Sequence, residues 1–200
     1  MAATASQLAW AKASPAQAMT RKTTTTISAT GSASVKDSKV LTVNPPAIDE
    51  FVIDPSSVLG GSQSKGTISL STQAPAGTVI TLTATPAGVV TIPSQINVTS
   101  GVQIVSFIIK TSAVAVTKNV TIKATLGPTN KSASIVVRSP GIGSVKFTPT
   151  RVVGGGNVLG TVTLDGPAPP GGINVTITSG NTNYARVVGT GVVKVNAGAL

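Results

Sequence analysis

Few side chains in this sequence could perform acid–base or metal chemistry, and three of them are grouped. Among 200 residues there are five carboxylates, of which Asp49, Glu50 and Asp54 lie close together. Grouped carboxylates are ligands that calcium prefers, and an ion held just after Pro45 and Pro46 could stiffen a linker. Because no second group of this kind occurs along the chain, solvated charge on a strand edge is favoured over a metal site.

Other side chains that could act in catalysis are nearly absent. The chain contains no Cys and no His, which removes thiolate and imidazole nucleophiles and the usual zinc ligand sets. No pair of titratable groups recurs in a way that indicates a cleft. We therefore expect a protein that is not an enzyme and that has no cofactor. The absence of Cys favours a bacterial origin without deciding the redox compartment.

Two glycine-rich stretches, GGSQSKG at 60–66 and GGGNVLG at 154–160, resemble phosphate-binding loops only superficially. A phosphate cradle needs a helix N-terminus directly after the glycines. A strand pattern follows here instead. The paired glycines are predicted to supply a positive φ in a tight turn.

Basic residues offer the one candidate binding surface. The formal net charge is +10, and no acidic residue lies between Asp54 and Asp165. If Lys123 and Arg138 share a solvent face, they could hold an acidic polysaccharide or an anionic cell envelope. The alternative is that these charges protect exposed strands from unwanted pairing. The candidate residues are Lys110, Lys118, Lys123, Lys131 and Arg138.

Several other partners are disfavoured by composition. The 15 Lys and Arg residues are scattered, and aromatic residues make up 2% of the chain, so base-stacking platforms for nucleic acid are not expected. No apolar run approaches the roughly 20 residues that span a bilayer. No signal peptide is visible at the N-terminus. Trp10 and Tyr184 could stack on glycans, although isolated aromatics are more often core residues.

The elements that must position these residues are predicted to be strands. Apolar and polar residues alternate in short segments rich in β-branched residues, and Gly, Pro, Ser and Asn separate them. A helix could be drawn only over 5–19, where Pro15 would interrupt it. Strands are predicted near 48–53, 66–72, 78–85, 89–92, 102–110, 118–126 and 132–138.

The same strand pattern occurs more than once in the sequence. Residues 66–77 read GTISLSTQAPAG, and 94 positions later residues 160–171 read GTVTLDGPAPPG. The segment KASPAQAMTRKTTTTISATG near the N-terminus resembles KTSAVAVTKNVTIKATLG from Lys110, with Ala29-Thr30 against Ala124-Thr125. The C-terminal VKVNAGAL matches INVTSGVQ at 96–103. A period of this size indicates tandem domains.

Three segments follow from this alignment. We assign residues 1–45 to the C-terminal half of one repeat, 46–140 to a complete repeat and 141–200 to the N-terminal part of a further repeat. The two end segments, 1–45 and 141–200, together cover about one repeat. They could belong to a longer array, close on each other in permuted fashion, or complete each other between subunits.

The residues GG…GTISLSTQAPAG and GG…GTVTLDGPAPPGG resemble the bacterial immunoglobulin-like tandem repeats of large cell-surface and secreted proteins. The resemblance implies an all-β fold of tandem immunoglobulin-like β-sandwiches, with about seven strands in each repeat of roughly 94 residues. It also implies an extracellular or cell-surface location. It brings no catalytic, cofactor or metal residues to this chain.

The sequence is therefore compatible with three functions from different classes. The first is a structural or adhesive spacer that contacts neighbouring repeats and could bind an anionic envelope or matrix electrostatically. The second is a carbohydrate-binding accessory module of a larger secreted enzyme, which an exposed aromatic platform would favour. The third is a self-assembling filament subunit that exchanges strands with a neighbour.

Overall fold

The computed structural model describes residues 22–30 and 36–200. All of the regular secondary structure in these residues is β-strand. The first two strands, β1 (Thr23–Thr30) and β2 (Lys36–Val43), make an isolated antiparallel pair. The segment 5–19 and Trp10, considered above, lie outside the described residues.

The central region, residues 48–138, holds nine strands in two sheets. One sheet has four strands in the order β3-β5-β9-β7, and the other has five in the order β4-β11-β10-β6-β8. The strands are β3 (Ile48–Asp54), β4 (Ser57–Leu59), β5 (Gln63–Leu70), β6 (Thr78–Thr85), β7 (Val90–Thr91), β8 (Gln95–Val98), β9 (Ile104–Thr111), β10 (Lys118–Leu126) and β11 (Thr129–Arg138).

Strict alternation explains why these strands form a sandwich. Along β10 the side chains of Val120, Ile122 and Ala124 are fully buried, whereas the residues between them point to solvent or are partly covered. Every second side chain of a strand lies on the same face. The apolar faces of the two sheets therefore pack against each other in one core cluster. Within the four-stranded sheet, the rings of Phe51 on β3 and Phe107 on β9 lie 6.0 Å apart between centroids.

The all-β prediction and the sandwich are confirmed, and each of the seven predicted strands of the central region is present. Two short strands were missed, β4 and β8. Each has only three or four residues, which is too short for alternation to stand out from the surrounding turn residues.

After the sandwich come four strands in two separate pairs. Strands β12 (Ile142–Thr148) and β13 (Leu159–Leu164) pair together, as do β14 (Ile173–Thr176) and β15 (Val192–Val195). The β12–β13 register reproduces that of β3 with β5: Ile142 lies opposite Leu164 as Ile48 lies opposite Leu70, and a register shift follows in both pairs.

The glycine turns behave as the sequence predicts. Gly61 and Gly155 adopt φ values of +93° and +85°, a region that side chains with a Cβ rarely enter. Gly155 lies between the paired strands β12 and β13, whereas Gly61 lies between β4 and β5, where the chain passes from one sheet to the other. Within residues 22–30 and 36–200, no helix is long and apolar enough to cross a bilayer.

Replacing Ile122 tests how far the sandwich depends on its core. Ile122→Ala should lower the free energy of unfolding by about 2–5 kcal/mol, because it removes fully buried atoms from the strand at the centre of the larger sheet. Asn119→Ala, on the exposed side of the same strand, should change it by less than about 0.5 kcal/mol. Urea unfolding followed by circular dichroism measures both, and equal effects would contradict this view of the core.

Candidate functional site

The five basic residues proposed as a binding patch lie on both sheets. Lys110 is on β9 in the four-stranded sheet, whereas the other four are on β10 and β11 of the five-stranded sheet. The outward faces of a sandwich point in opposite directions. Lys110 is therefore separated from the rest.

Lys123 and Arg138 do point outward from the same sheet face. Lys123 lies opposite Ser132 in the β10–β11 register, and Arg138 is six residues further along β11. At about 3.3 Å per residue, roughly 20 Å separates the two along the strand. Lys118 and Lys131 are exposed near strand ends, but they lie opposite Val137 and Ala124 and so are on the side of their strands that faces the core. Lys123 and Arg138 alone among these four share the outward face, and their charges are farther apart than the Debye length of about 8 Å at physiological salt. The four basic residues of this sheet are called the basic stripe below.

These charges have no carboxylate partner in the described part of the chain. The one ion pair found there joins Lys39 and Asp37 on the N-terminal hairpin, at 3.8 Å between Nζ and Oδ1. The stripe could therefore offer its full charge to a long polyanion that spans several side chains, whereas a small anion would meet only one cation at a time.

The grouped carboxylates lie on β3, and all three are exposed. Asp54 is opposite Lys65 and Glu50 is opposite Ser69. Across residues 22–30 and 36–200, no group of three or more His, Cys, Asp or Glu side chains is placed to hold a metal ion.

Tyr184 is 90% exposed, so the alternative that this isolated aromatic is a core residue is wrong. It lies in a turn whose backbone is held to Asn181, and the Tyr184 N–H donates to the Asn181 carbonyl at 3.3 Å. A hydrophilic turn leaves the ring nothing to pack against. Its exposure is compatible with stacking on a sugar.

A feature that sequence reasoning missed holds the connection between β11 and β12. The N–H of Gly141 donates to Asp165 Oδ1 at 2.7 Å, and the Asp165 N–H donates back to the Gly141 carbonyl at 3.0 Å. The connection before β3 has the same ring: the Ala47 N–H donates to Ser71 Oγ at 3.1 Å, and the Ser71 N–H donates to the Ala47 carbonyl at 2.9 Å.

The two rings occupy equivalent places in the chain. Ser71 and Asp165 each follow the last buried leucine of a strand, Leu70 and Leu164, and each ring partner lies 94 positions from its counterpart. That spacing was the available signal. Sequence analysis treated Asp165 as an isolated charge, because a hydroxyl and a carboxylate at matching positions do not look alike until their shared role as hydrogen-bond acceptors is known.

The sandwich also touches the segment that follows β13. The Leu59 side chain lies so close to the backbone of Gly166 that any Cβ at that position would overlap it. A Cβ on Gly61 would come within 3.1 Å of Cγ of Pro167. This contact joins the sandwich to the next pair of strands, and the ring at Asp165 holds the connecting residue Gly141 to that same pair.

The strands after the junction expose positions that the sandwich buries. Ile48, Phe51 and Ile53 on β3 are 4%, 8% and 6% exposed, and their register equivalents on β12, Ile142, Val145 and Phe147, are 58%, 50% and 58% exposed. The apolar face is present in both places. What differs is the second layer, since the described residues after 148 supply no counterpart of β9, β10 or β11.

No protein-family model matches the sequence, and no curated protein matches it. The chain is similar to solved structures of the S-layer protein SbsC. Domains 4 and 5 share 19% identity at a TM-score of 0.29 over 52% of this chain and 62% of that one. Domains 1–6 share 13% identity at a TM-score of 0.37 over 90% of this chain and 29% of that one.

A structure of SbsC domains 4–9 shares 12% identity at a TM-score of 0.36, over 80% of this chain and 29% of that one. The chain thus spans less than two thirds of the length of each of these structures. At such TM-scores and identities the likeness establishes neither a shared family nor a shared function.

Asp165→Ala should remove the side-chain acceptor that holds the Gly141 N–H next to the junction. The Gly141 N–H loses its charged acceptor, so its amide hydrogen exchange should accelerate about three- to tenfold, as expected for a hydrogen bond worth about 1 kcal/mol. Asp165→Asn keeps an acceptor oxygen and is the matched control, with exchange near that of the unaltered protein. Equal exchange in the Ala variant and the unaltered protein would show that the ring does not hold the connection.

Proposed function

We propose that this chain is a non-catalytic structural module of a cell-surface or extracellular protein, built from tandem immunoglobulin-like sandwiches and acting as a spacer. The observation that carries the proposal is the contact across the junction, where the Leu59 side chain of the sandwich lies against Gly166 and Gly61 lies close to Pro167. A flexible tether has no need for such a contact. A spacer does, because its reach depends on fixed angles between successive units. The hydrogen-bond rings, Ala47 with Ser71 and Gly141 with Asp165, hold each connecting segment to the unit that follows it.

In this proposal residues 46–140 are one complete unit, residues 141–200 begin the next, and residues 1–45 end the one before. The shared strand registers support the assignment, as does a turn that recurs with the same bonds. The Ala74 N–H donates to Val102 at 2.8 Å and its carbonyl accepts from Gly101 at 2.8 Å; the equivalent bonds join Ala168 to Ala199 and Gly198 at 2.9 and 2.8 Å.

The direction of the strands gives each unit its length. The chain enters the sandwich at Ile48, beside Thr129 whose Oγ1 accepts from the Ile48 N–H at 3.3 Å. It leaves after Arg138, at the far end of β11. Ten residues of strand cover about 33 Å. Entry and exit at opposite ends let each added unit extend the array lengthwise.

The basic stripe gives the spacer a second capacity, electrostatic adhesion. Its side chains are exposed and have no carboxylate partner in the described residues. The partner class that fits is a long polyanion, an acidic polysaccharide of an envelope or matrix, because only a polymer can meet charges spaced along a sheet.

One observation favours a second candidate, a carbohydrate-binding accessory module. The exposed ring of Tyr184 could stack on a sugar face. Binding of neutral polysaccharide that is insensitive to salt and lost in Tyr184→Ala would support that candidate over electrostatic adhesion.

Adhesion is tested by binding to bacterial envelope and to acidic polysaccharide across a salt series. Changing the stripe to Gln should abolish binding that otherwise falls as salt rises, since screening weakens exposed charges. The variant alters the stripe residues Lys118, Lys123, Lys131 and Arg138 together with Lys110 of the opposite sheet.

The matched control removes the same number of positive charges elsewhere and should retain most of the binding. Equal loss in both variants would mean that net charge, and not the stripe, attracts the polymer. No binding at low salt would reject adhesion and leave the spacer. The control changes Lys22, Lys39, Lys146, Arg151 and Lys194 to Gln.

A further inference from the structure

Strand β14 ends where its counterpart in the sandwich continues. Strand β6 is paired on both sides, with β8 and with β10, whereas β14 has β15 as its one paired strand among residues 22–30 and 36–200. The pairing extends one residue past β14: the Ile177 N–H donates to the Gly191 carbonyl at 2.7 Å, as the Leu82 N–H donates to the Ser94 carbonyl at 2.8 Å. No described strand occupies the edge of β14 that corresponds to the position of β10.

The N-terminal hairpin has the register of the strands that are missing there. Thr25 lies opposite Leu41 in β1–β2, and Val120 lies opposite Ile135 in β10–β11. The sequence alignment of Ala29 with Ala124 gives the same correspondence. The hairpin is thus built like β10–β11, down to which residues face each other.

The end of the hairpin nearest β3 carries apolar side chains on one face. Leu41 and Val43 lie on the face that corresponds to Ile135 and Val137, both fully buried in the sandwich. On the hairpin these side chains are half-buried, and Ile27, on the same face of β1, is exposed. Toward the turn the same face carries Lys39 and Asp37, which pair with each other at 3.8 Å and stay exposed. Among the described residues this face has no second layer like that of its counterpart.

The hairpin does not reach the open edge of its own chain. Only residues 44–47 join β2 to β3, and the ring at Ala47 and Ser71 fixes them to the entry end of the sandwich. The strands β12–β15 follow the exit end. In the structure β1 and β2 form a sheet of their own, separate from the sheet of β14 and β15.

We propose that the β1–β2 hairpin of one copy adds to the open edge after β14 of a second copy and completes its sheet. By the registers above, Ala29 of one copy lies opposite Ile177 of the other, as Ala124 lies opposite Leu82. Ser28 then lies opposite Thr178. The contact is head-to-tail, so each added copy still has one hairpin or edge to offer, and the product is a linear chain of molecules or, where the rotation closes, a ring.

The test is the concentration dependence of the mass of the full 200-residue chain, measured by light scattering. The unaltered protein should form species larger than a dimer as concentration rises. Leu41→Asp places a charge on the face to be buried and should weaken association at least about tenfold. Val40→Asp makes the same kind of change on the neighbouring residue, which faces the other side, and should leave association intact.

A protein that stays monomeric at millimolar concentration overturns the proposal, as does equal association of the two Asp variants. A second pair of variants distinguishes loss of the contact between copies from unfolding of the hairpin. Mixed Ser28→Cys and Thr178→Cys chains should form a disulfide-linked dimer on oxidation. Ser28→Cys with Thr161→Cys, on β13, should not, and cross-linking of both mixtures alike would reject the register. The spacer function does not depend on this result, because a monomeric chain keeps its junctions.

Discussion

Burial of two apolar sheet faces against each other is the interaction on which the rest of this structure depends. In residues 48–138 strands from both halves of the sequence interleave, and Ile122 and Ile135 are fully enclosed between the sheets. Strands β12 and β13 repeat the register of β3 and β5, but without a facing layer Val145 and Phe147 remain exposed. The same local pattern thus gives a buried core where a second layer is available and an exposed apolar surface where it is not.

That dependence links the two proposals. A spacer of stacked sandwiches needs each unit complete and each junction fixed. The junction here is made by the contact of Leu59 with Gly166, and the hydrogen bonds between Gly141 and Asp165 hold the connecting segment to the following strands. Completion comes from strands that are distant in sequence, and so a neighbouring molecule can supply them.

Much of the fold could be predicted from the sequence because alternation is a local property. It located the long strands and identified the turns in which Gly61 and Gly155 take positive φ. It could not locate β4 and β8, which are too short to show a period. The basic residues were identified by charge alone, and their separation onto two sheets follows from strand order, which local patterns do not encode. The role of Asp165 depends on a backbone N–H 24 residues away.

The central claim is that the sandwich and the strands after it form a spacer of fixed geometry, and the distance between spin labels across the junction tests it directly. The chain has no Cys, so Lys123→Cys and Lys146→Cys introduce the two label sites alone, one on each side of the junction. The account predicts one narrow distance distribution at all salt concentrations. A broad distribution, as a flexible tether gives, would contradict it.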